Sequence, residues 1–401
     1  MSLCVLRTCH RGKYWSTTIL HFLGLTVLTF LVFGPMACHR LLHSYFYLRT
    51  WHLDRMSQEF LDRNLEEAQE AVKYFADLPQ FLNASSTARK DTSGHAKAKP
   101  WLVITIITIG RKQEFHYLLQ VMSRFHQLIE ECGYSCKRHQ LFLCNVDSDP
   151  KTHKDARFLS RLIPTVEHYS TVSGDMGINI FEKEKRDYAF CLEQALLTFD
   201  PEYVLLVEDD AVPEVEIFQV LNQLLLVRFP DIPLGGALYF KLFHPERLQR
   251  YVNPEPMRIL EWVGLGMFAG TVFSWIYGKV VWNSGASWPT FIFFALYSMA
   301  LVELVGRHYV LELRRLSPSL YNVVPATECC TPAMLYSADS ARRALTYFAK
   351  IECRRGFAKD TALYYNLHQT GEWAYVVEPN LVQHVGMYSS LRLSFDDPKL
   401  L

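Results

Sequence analysis

Residues 203–210 read YVLLVEDD, and this stretch decides the fold of the chain. Its apolar beginning is typical of a strand buried on both faces of a parallel sheet. Three consecutive carboxylates follow, at Glu208, Asp209 and Asp210. Neighbouring carboxylates repel one another, so burying them is costly unless a cation offsets their charge. We therefore expect a metal site at the end of a buried strand, the alternative being an exposed acidic turn before Pro213.

The sequence before this stretch alternates between strand and helix patterns. Apolar, β-branched runs at 101–109 (WLVITIITI) and 140–146 (QLFLCNV) predict two buried strands, and a short extended piece lies around Thr165. Helical spacing of apolar residues occurs at 113–131 and at 181–198. Strands that alternate with helices predict an α/β fold with a mainly parallel sheet. Ligands of such sheets bind at the carboxyl ends of the strands, so the loops there are the candidate sites.

The loops after the first two strands carry groups that suit a nucleotide. The first loop offers backbone N–H groups and a cation, in Thr108, Ile109, Gly110 and Arg111. The second loop offers carboxylates for a ribose or a base edge, in Asp147 and Asp149. The oxygens of the acidic triplet suit Mn²⁺ or Mg²⁺, and a metal there would stabilise a departing diphosphate.

Two further candidates lie near the C-terminus. His384, within 383–390 (QHVGMYSS), is a residue type that ligates metals or contacts phosphate, although a single histidine after a strand is more often structural. Asp360 precedes the helical stretch TALYYNL and is predicted to be the N-cap of that helix. Its functional interpretation is a general base that takes the proton of an acceptor hydroxyl.

Three apolar segments predict helices that cross a membrane. Residues 16–37 follow a basic start and come close to the roughly 20 residues that a span needs. We interpret them as a signal anchor with a cytosolic tail at 1–15, the alternative being a cleaved signal peptide. A transmembrane hairpin is predicted at 259–306, from apolar runs at 259–278 and 289–305.

The hairpin prediction has one alternative and one conflict. The alternative is a pair of buried core helices, but both runs are apolar around the whole helix, unlike helices at a domain surface. The conflict is with the positive-inside rule, because only Lys279 would lie in the cytosolic turn. Four arginines would instead be luminal, namely Arg258, Arg307, Arg314 and Arg315.

The remaining sequence fits a folded protein of the lumen. Lys plus Arg equals Asp plus Glu at 41 each, so no basic field is present to bind nucleic acid. A stem and linker are predicted at 38–99, with a glycosylation sequon at Asn83. The α/β domain is predicted at 100–258 and 307–401, on either side of the hairpin. The candidates for disulfides are Cys132, Cys136, Cys144, Cys191, Cys329 and Cys330.

With VEDD after a buried strand, a late QHVGMYSS and an anchor plus hairpin, the chain resembles the post-GPI-attachment N-acetylgalactosamine transferases of the Golgi. The resemblance covers essentially the whole chain and implies a GT-A glycosyltransferase domain that is split by a transmembrane hairpin. It implies UDP-N-acetylgalactosamine (UDP-GalNAc) as the donor and Mn²⁺ as the metal. It also implies inverting β-transfer to the first mannose of the glycan on GPI-anchored proteins, in the lumen of the Golgi.

The resemblance also assigns roles to residues. The triplet would hold metal and diphosphate, with Asp210 as the main direct ligand because the motif begins with Glu instead of Asp. The nucleotide loop would be 108–111, the second-strand loop would contribute Asp147 and Asp149, His384 would complete the site, and Asp360 would be the base. The end of the chain is also similar to the branching N-acetylglucosaminyltransferases of N-glycans, so another UDP-sugar or acceptor is an alternative. A non-enzymatic membrane adaptor or transporter subunit is the alternative of another class.

Overall fold

A computed structural model of the chain describes residues 16–86, 99–111, 115–168, 179–228, 237–245, 248–252, 255–283, 285–389 and 394–395. The chain forms two compact units. One comprises Met1–Asp54 and Glu246–Leu313, and the other comprises Arg55–Pro245 and Arg314–Leu401. The first unit contains the apolar helices and the second contains the sheet.

The strands of the second unit form one eight-stranded sheet and two short ribbons. Their bounds are β1 Leu102–Thr108, β2 His139–Asn145, β3 Thr165–Glu167, β4 Tyr203–Glu208, β5 Ala211–Pro213, β6 Ala237–Lys241, β7 Asn322–Pro325, β8 Ala333–Ser337, β9 Trp373–Glu378, β10 Val382–His384, β11 Tyr388–Ser389 and β12 Ser394–Phe395. The sheet order is β3-β2-β1-β4-β8-β6-β9-β7, while β10 pairs with β5 and β11 with β12. The pairs β1–β2, β1–β4 and β2–β3 are parallel. The antiparallel pairs of the sheet are β4–β8, β6–β8 and β7–β9. The order 3-2-1-4 is that of a doubly wound nucleotide-binding sheet, and it confirms the predicted α/β, GT-A-like fold.

The register of the central strands brings their carboxyl ends to one edge of the sheet. Thr108 at the end of β1 pairs with Asn145 at the end of β2. On the other side, Ile107 pairs with Glu208 at the end of β4. The three loops that were predicted to carry the site therefore start side by side.

Helices cover both faces of this sheet and explain why the run 101–109 is apolar throughout. Ile104 and Ile106 are buried in a core with Phe125 of the helix Tyr117–Cys132. Val103, on the opposite face, is buried with residues of the helix Ile180–Phe199. The other helices of this unit are Lys154–Leu159, Ile217–Asn222, Ala338–Phe348 and Lys359–Thr370.

A long helix occupies much of the predicted stem and linker at 38–99. It spans Arg49–Ser86. The side chain of Asn83 and residues 1–15 and 87–98 lie outside the described part of the chain. Glycosylation of Asn83, the cytosolic tail and the remaining linker therefore stay predictions.

Three helices of the first unit have the length and composition to cross a membrane: Ser16–Cys38, Pro256–Trp282 and Trp288–Val305. In the most apolar 18-residue stretch of each helix, at most 28% is buried inside the protein. Buried core helices would hide these side chains, whereas lipid-facing helices expose them, so the exposure favours the membrane interpretation. The chain has the helices of a membrane protein, and the spans at 16–37 and 259–306 stay predictions.

The two hairpin helices pack against each other along small residues. A Cβ on Gly270 would lie 2.9 Å from the Cβ of Ala295 and 3.0 Å from the carbonyl oxygen of Phe291. The hydroxyl groups of Ser274 and Thr290 approach to 2.6 Å across the same interface. Small residues let helix backbones approach closely in membranes, where packing replaces the hydrophobic effect.

Two of the arginines that conflict with the positive-inside rule are buried and paired with protein groups. Arg258 is 1% exposed and donates to the carbonyl oxygen of Leu248. Arg307 is 0% exposed and donates to the carbonyl oxygen of Gln249 at 3.0 Å and to the carboxylate of Glu261 at 2.9 Å. Both guanidinium groups thus have partners inside the fold, and that of Arg307 is paired with a carboxylate.

All six candidate cysteines form disulfides, which are Cys132–Cys136, Cys144–Cys191 and Cys329–Cys330. The first is a local bridge between residues four positions apart. The seventh cysteine after the first apolar helix, Cys353, is a buried free thiol. This pattern fits an oxidising compartment.

Candidate active site

The acidic triplet lies at the carboxyl end of β4, in the centre of the sheet. Asp209 and Asp210 are each 3% exposed, and Glu208 is half-buried. The N–H of Glu208 donates to the carbonyl oxygen of Pro332, just before β8. The alternative of an exposed acidic turn is therefore wrong, and the carboxylates need partners inside the fold.

Asp209 faces the loop after β1. Its Oδ2 accepts hydrogen bonds from the hydroxyl of Thr108 at 2.7 Å and from the N–H of Ile109 at 3.3 Å. Its Oδ1 accepts from Arg111 at 2.7 Å. Burial raises the pKa of Asp209, and the charge of Arg111 opposes this rise. Both oxygens of Asp209 are thus hydrogen-bonded to the loop after β1, and its predicted role as a metal ligand stays a prediction.

Asp210 has a different environment. Its Oδ2 accepts from Arg111 at 2.6 Å and lies 3.4 Å from Nε2 of His384. Its Oδ1 is buried and has no hydrogen-bond partner among the described residues. Burial alone would raise the pKa of Asp210, but the charges of Arg111 and His384 hold it well below its usual range. An ionised carboxylate thus keeps one buried oxygen available.

A short ribbon brings the C-terminal motif to this carboxylate. β5 follows the triplet directly and pairs with β10, so that His384 lies opposite Ala211. The N–H of Val385 then donates to the carbonyl oxygen of Asp210 at 2.8 Å. A Cβ on Gly386 would overlap the Asp210 carboxylate, which explains the glycine at this position.

Glu208, Asp210 and His384 form a group that fits a divalent cation. Each offers one ligand atom, and these atoms lie within 4.8 Å of one another. Two carboxylate oxygens and one imidazole nitrogen suit Mn²⁺, and carboxylates with water also suit Mg²⁺. The buried Oδ1 of Asp210 is the atom that a cation would satisfy.

The opposite side of Glu208 contacts a cation that the sequence did not single out. Lys359 is buried, and its Nζ lies 3.2 Å from Oε1 of Glu208 and also pairs with Glu184. The hydroxyl of Thr331 donates to the same Oε1 at 3.4 Å. Burial lowers the pKa of Lys359, but the two carboxylates outweigh this effect and raise it above its usual range. Glu184 and Lys359 lie far apart in the chain, so no local pattern connects them.

The N-cap prediction for Asp360 is wrong. The helix spans Lys359–Thr370 with Ala358 as its N-cap, which places Asp360 in the first turn. Its Oδ1 accepts from the N–H of Thr361 at 2.8 Å, and its Oδ2 accepts from the N–H of Cys330 at 3.0 Å. The residue before it, Lys359, contacts Glu208, so the structure connects Asp360 to the acidic cluster through this lysine.

A cavity of about 440 Å³ opens beside the loop after β1. Its lining includes Gly110, Arg111, His116, Tyr117, His153, Asp155 and Asp209. Asp147 accepts from the N–H of Gly110 at 2.6 Å, so it holds this loop, whereas Asp149 is exposed and accepts from the N–H of Lys151. A more open depression of about 620 Å³, lined by residues 160–167, contains none of the candidate residues.

Comparison with known proteins gives two kinds of match, to solved structures and to a protein family. Mouse xyloside xylosyltransferase 1 in its apo form has 10% sequence identity and a TM-score of 0.31, over 69% of this chain and 84% of that chain. The mannosyltransferase PcManGT from Pyrobaculum calidifontis, in complex with GDP-Man and Mn²⁺, has 13% identity and a TM-score of 0.22, over 77% of this chain and 98% of that chain. The family assignment rests on another match: residues 102–383, well over half of the chain, match the family described as GPI-N-acetylgalactosamine transferase PGAP4. The chain therefore belongs to this family of glycosyltransferases.

Proposed function

We propose that this membrane enzyme transfers N-acetylgalactosamine from UDP-GalNAc to the first mannose of the GPI glycan, with inversion to a β-linkage. Membership of the GPI-N-acetylgalactosamine transferase family supports the class of donor and acceptor. The observation that carries the chemistry is the buried, unpartnered Oδ1 of Asp210 inside the Glu208–Asp210–His384 group.

These three residues would hold Mn²⁺, or Mg²⁺, against the diphosphate of the donor. The metal would supply positive charge that stabilises UDP as the leaving group. Arg111 pairs with Asp209 and Asp210 and offsets part of their charge without a cation.

The cavity beside Gly110 and Arg111 is the proposed site of the nucleoside. Its volume and its mixture of imidazole, phenol and carboxylate groups suit a base and a ribose. The hydroxyl of Thr108 donates its proton to Asp209 and therefore accepts from Nε2–H of His153 at 2.8 Å, and Asp147 accepts from the N–H of Gly110. Both contacts keep the loop in one conformation before the donor arrives.

Asp360 is the proposed base on the acceptor side. A carboxylate there would take the proton of the attacking hydroxyl while the sugar carbon bonds to its oxygen and UDP departs. Three disulfides and the apolar helices support a Golgi enzyme with a cytosolic N-terminus and a luminal active site, which acts on GPI-anchored proteins.

A donor and acceptor screen tests this proposal. The full chain, purified in detergent with Mn²⁺, is incubated with UDP-GalNAc, UDP-GlcNAc or UDP-galactose and either a GPI glycan or an N-glycan. Product mass and linkage are then determined by mass spectrometry and NMR. Transfer of GalNAc in β-linkage to the mannose of the GPI glycan is expected, and preference for another donor or for the N-glycan would contradict the proposal.

A further inference from the structure

A loop between β7 and β8, residues 327–331, connects the two halves of the candidate site. We call it the disulfide loop, because it contains the adjacent residues Cys329 and Cys330, which form a disulfide with each other. At its C-terminal end, Thr331 donates to Glu208 of the metal group at 3.4 Å. In its middle, the N–H of Cys330 donates to Asp360 at 3.0 Å. One short segment thus contacts both the proposed metal ligand and the proposed base.

A buried lysine holds this loop from the sheet. Lys241 ends β6 and is 1% exposed, and it pairs with Met334 of β8 in the sheet register. Its Nζ donates to the carbonyl oxygens of Thr327 at 2.7 Å and Cys329 at 2.9 Å. A buried ammonium group is costly, so two charge-assisted hydrogen bonds to one loop point to a tightly held backbone.

The charges around Lys241 point to the same group of residues. Burial lowers the pKa of Lys241 to about 8, while the carboxylates of Asp360 and Glu328 oppose this fall. The lysine therefore lies within electrostatic reach of the proposed base.

The disulfide restricts the backbone where the contact with Asp360 is made. Cys330 has a φ of 71°, in the left-handed region that residues other than glycine seldom adopt. The covalent bond to Cys329 joins adjacent residues and so limits the conformations that this peptide can reach. The direction of the Cys330 N–H, and with it the carboxylate of Asp360, depends on that conformation.

We propose that the Cys329–Cys330 disulfide and Lys241 are positioning elements for the transfer reaction: together they fix the Cys330 N–H that holds Asp360 for the acceptor hydroxyl. This inference rests on the proposed function, because it assigns Asp360 to the acceptor side. Neither element lines the proposed nucleoside cavity. Misplacement of a catalytic group by about 1 Å costs on the order of 100-fold in rate. Elements that hold such a group in place therefore contribute to the rate without contacting the substrate.

The test compares two disulfide variants of the full chain. Cys329→Ser combined with Cys330→Ser removes the bond but keeps the backbone N–H and nearly the size of each side chain. Cys132→Ser combined with Cys136→Ser is the matched control, because that disulfide closes the turn after the helix Tyr117–Cys132. Three quantities are measured for each: the affinity for UDP-GalNAc with Mn²⁺, kcat, and KM for the GPI glycan.

We expect kcat of the 329/330 variant to fall by about 10- to 100-fold while donor affinity stays within about twofold of the wild type. The control variant should retain kcat. A normal kcat in the 329/330 variant, an equal loss of kcat in both variants, or a loss of donor affinity as large as the loss of kcat would overturn the proposal.

Lys241→Met provides a second route that leaves every cysteine in place. It removes the two hydrogen bonds to the disulfide loop with little change in side-chain length. We expect this variant, too, to have a reduced kcat and to retain its affinity for the donor. If the 329/330 variant does not fold, the kcat of Lys241→Met alone tests the proposal. A normal kcat for Lys241→Met in that case overturns the proposal.

Asp360→Asn separates this inference from the proposed function. If Asp360→Asn loses turnover while the 329/330 and Lys241 variants keep it, only the positioning inference fails. If Asp360→Asn keeps normal turnover, Asp360 is not the base and both statements about it fail, while the donor assignment is tested separately by the screen above.

Discussion

Asp209 and Asp210 are adjacent in the chain, yet the fold gives their carboxylates different hydrogen-bond partners. Asp209 has both oxygens bound by the loop after β1. Asp210 shares Arg111 with Asp209 but keeps one buried oxygen without a partner among the described residues. The sequence alone could not show these contacts, and they support the expectation that Asp210 is the main direct ligand of a cation.

Asp210→Asn should abolish transfer while the protein folds and reaches its compartment. Asparagine keeps the size and one acceptor for Arg111, whereas alanine would also remove a partner of that buried guanidinium. Loss of a charged metal ligand removes several kcal/mol of transition-state stabilisation, so kcat should fall by at least about 100-fold. Activity is measured across a Mn²⁺ titration, with the exposed Asp339→Asn as the control. Unchanged activity of Asp210→Asn, or full wild-type activity in chelator, would refute the metal assignment.

Asp360→Asn should retain UDP-GalNAc binding and lose turnover. General base catalysis contributes about 10²–10⁴ in rate, so kcat should fall by that order. The oxygen of asparagine still accepts from the Cys330 N–H, but the amide nitrogen that replaces the other oxygen cannot accept from the Thr361 N–H. A modest loss of stability is therefore expected beside the loss of a first-turn acid. Donor affinity and turnover are measured on the same preparation. Near-normal turnover would move the search for the base to Glu352 or Glu328, whose Gln variants serve as comparisons.

At the scale of elements, the sequence predicted the strands that are buried on both faces. The bounds of β1, β2 and β4 agree with the predicted runs to within about two residues, because a continuous apolar run bounded by polar residues leaves little choice of register. Because the end of β4 was predicted correctly, the position of the acids that follow it was predicted correctly as well.

Local sequence patterns could not predict which strands pair when they lie far apart in the chain. β8 inserts antiparallel between β4 and β6, and β10 pairs with β5 across most of the second half of the chain. These pairings bring His384 to Asp210 and place the disulfide loop beside Glu208. The contacts of Lys359 with Glu184 and Glu208 depend on the same tertiary arrangement, and so the sequence revealed neither of them.

The packing of the hairpin gives a prediction for a whole element. Gly270→Val should separate the helices Pro256–Trp282 and Trp288–Val305, because its side chain would meet the backbone of the facing helix at Ala295 and Phe291. Overpacking of this kind typically costs about 1–3 kcal/mol. Gly264→Val is the matched control on the same helix, since nothing lies within 4 Å of its Cβ position. Thermal unfolding in detergent is the measurement, and equal stability of the two variants would contradict the packing described.

At the scale of the whole molecule, the sheet constrains how the chain can meet a membrane. β6 precedes the apolar hairpin in the chain and β8 and β9 follow it, yet all three strands pair in one sheet. Strands of one sheet cannot lie on opposite sides of a bilayer, since their hydrogen-bonding partners are neighbours. The chain between them must therefore return to the side that it left, which a hairpin of two spans does. The pairing of Arg307 with Glu261 offsets one of the four charges that conflict with the positive-inside rule.

This constraint leads to a topology that can be measured in intact cells. The turn between the helices Pro256–Trp282 and Trp288–Val305, at residues 283–287, should be accessible to a membrane-impermeant label from the cytosol when it carries an inserted tag. A C-terminal tag should be protected until the internal membranes are permeabilised, because the sheet and the C-terminus would share the lumen. Asn83 should carry a glycan on the same side as that tag, and Asn83→Gln, which removes the sequon, should shift the protein to higher gel mobility. If the tag in the turn is protected while Asn83 is glycosylated, the hairpin dips into the membrane from the lumen without crossing it. If Asn83 is unglycosylated and the C-terminal tag is labelled from the cytosol, the orientation of the whole enzyme is the reverse of the one proposed.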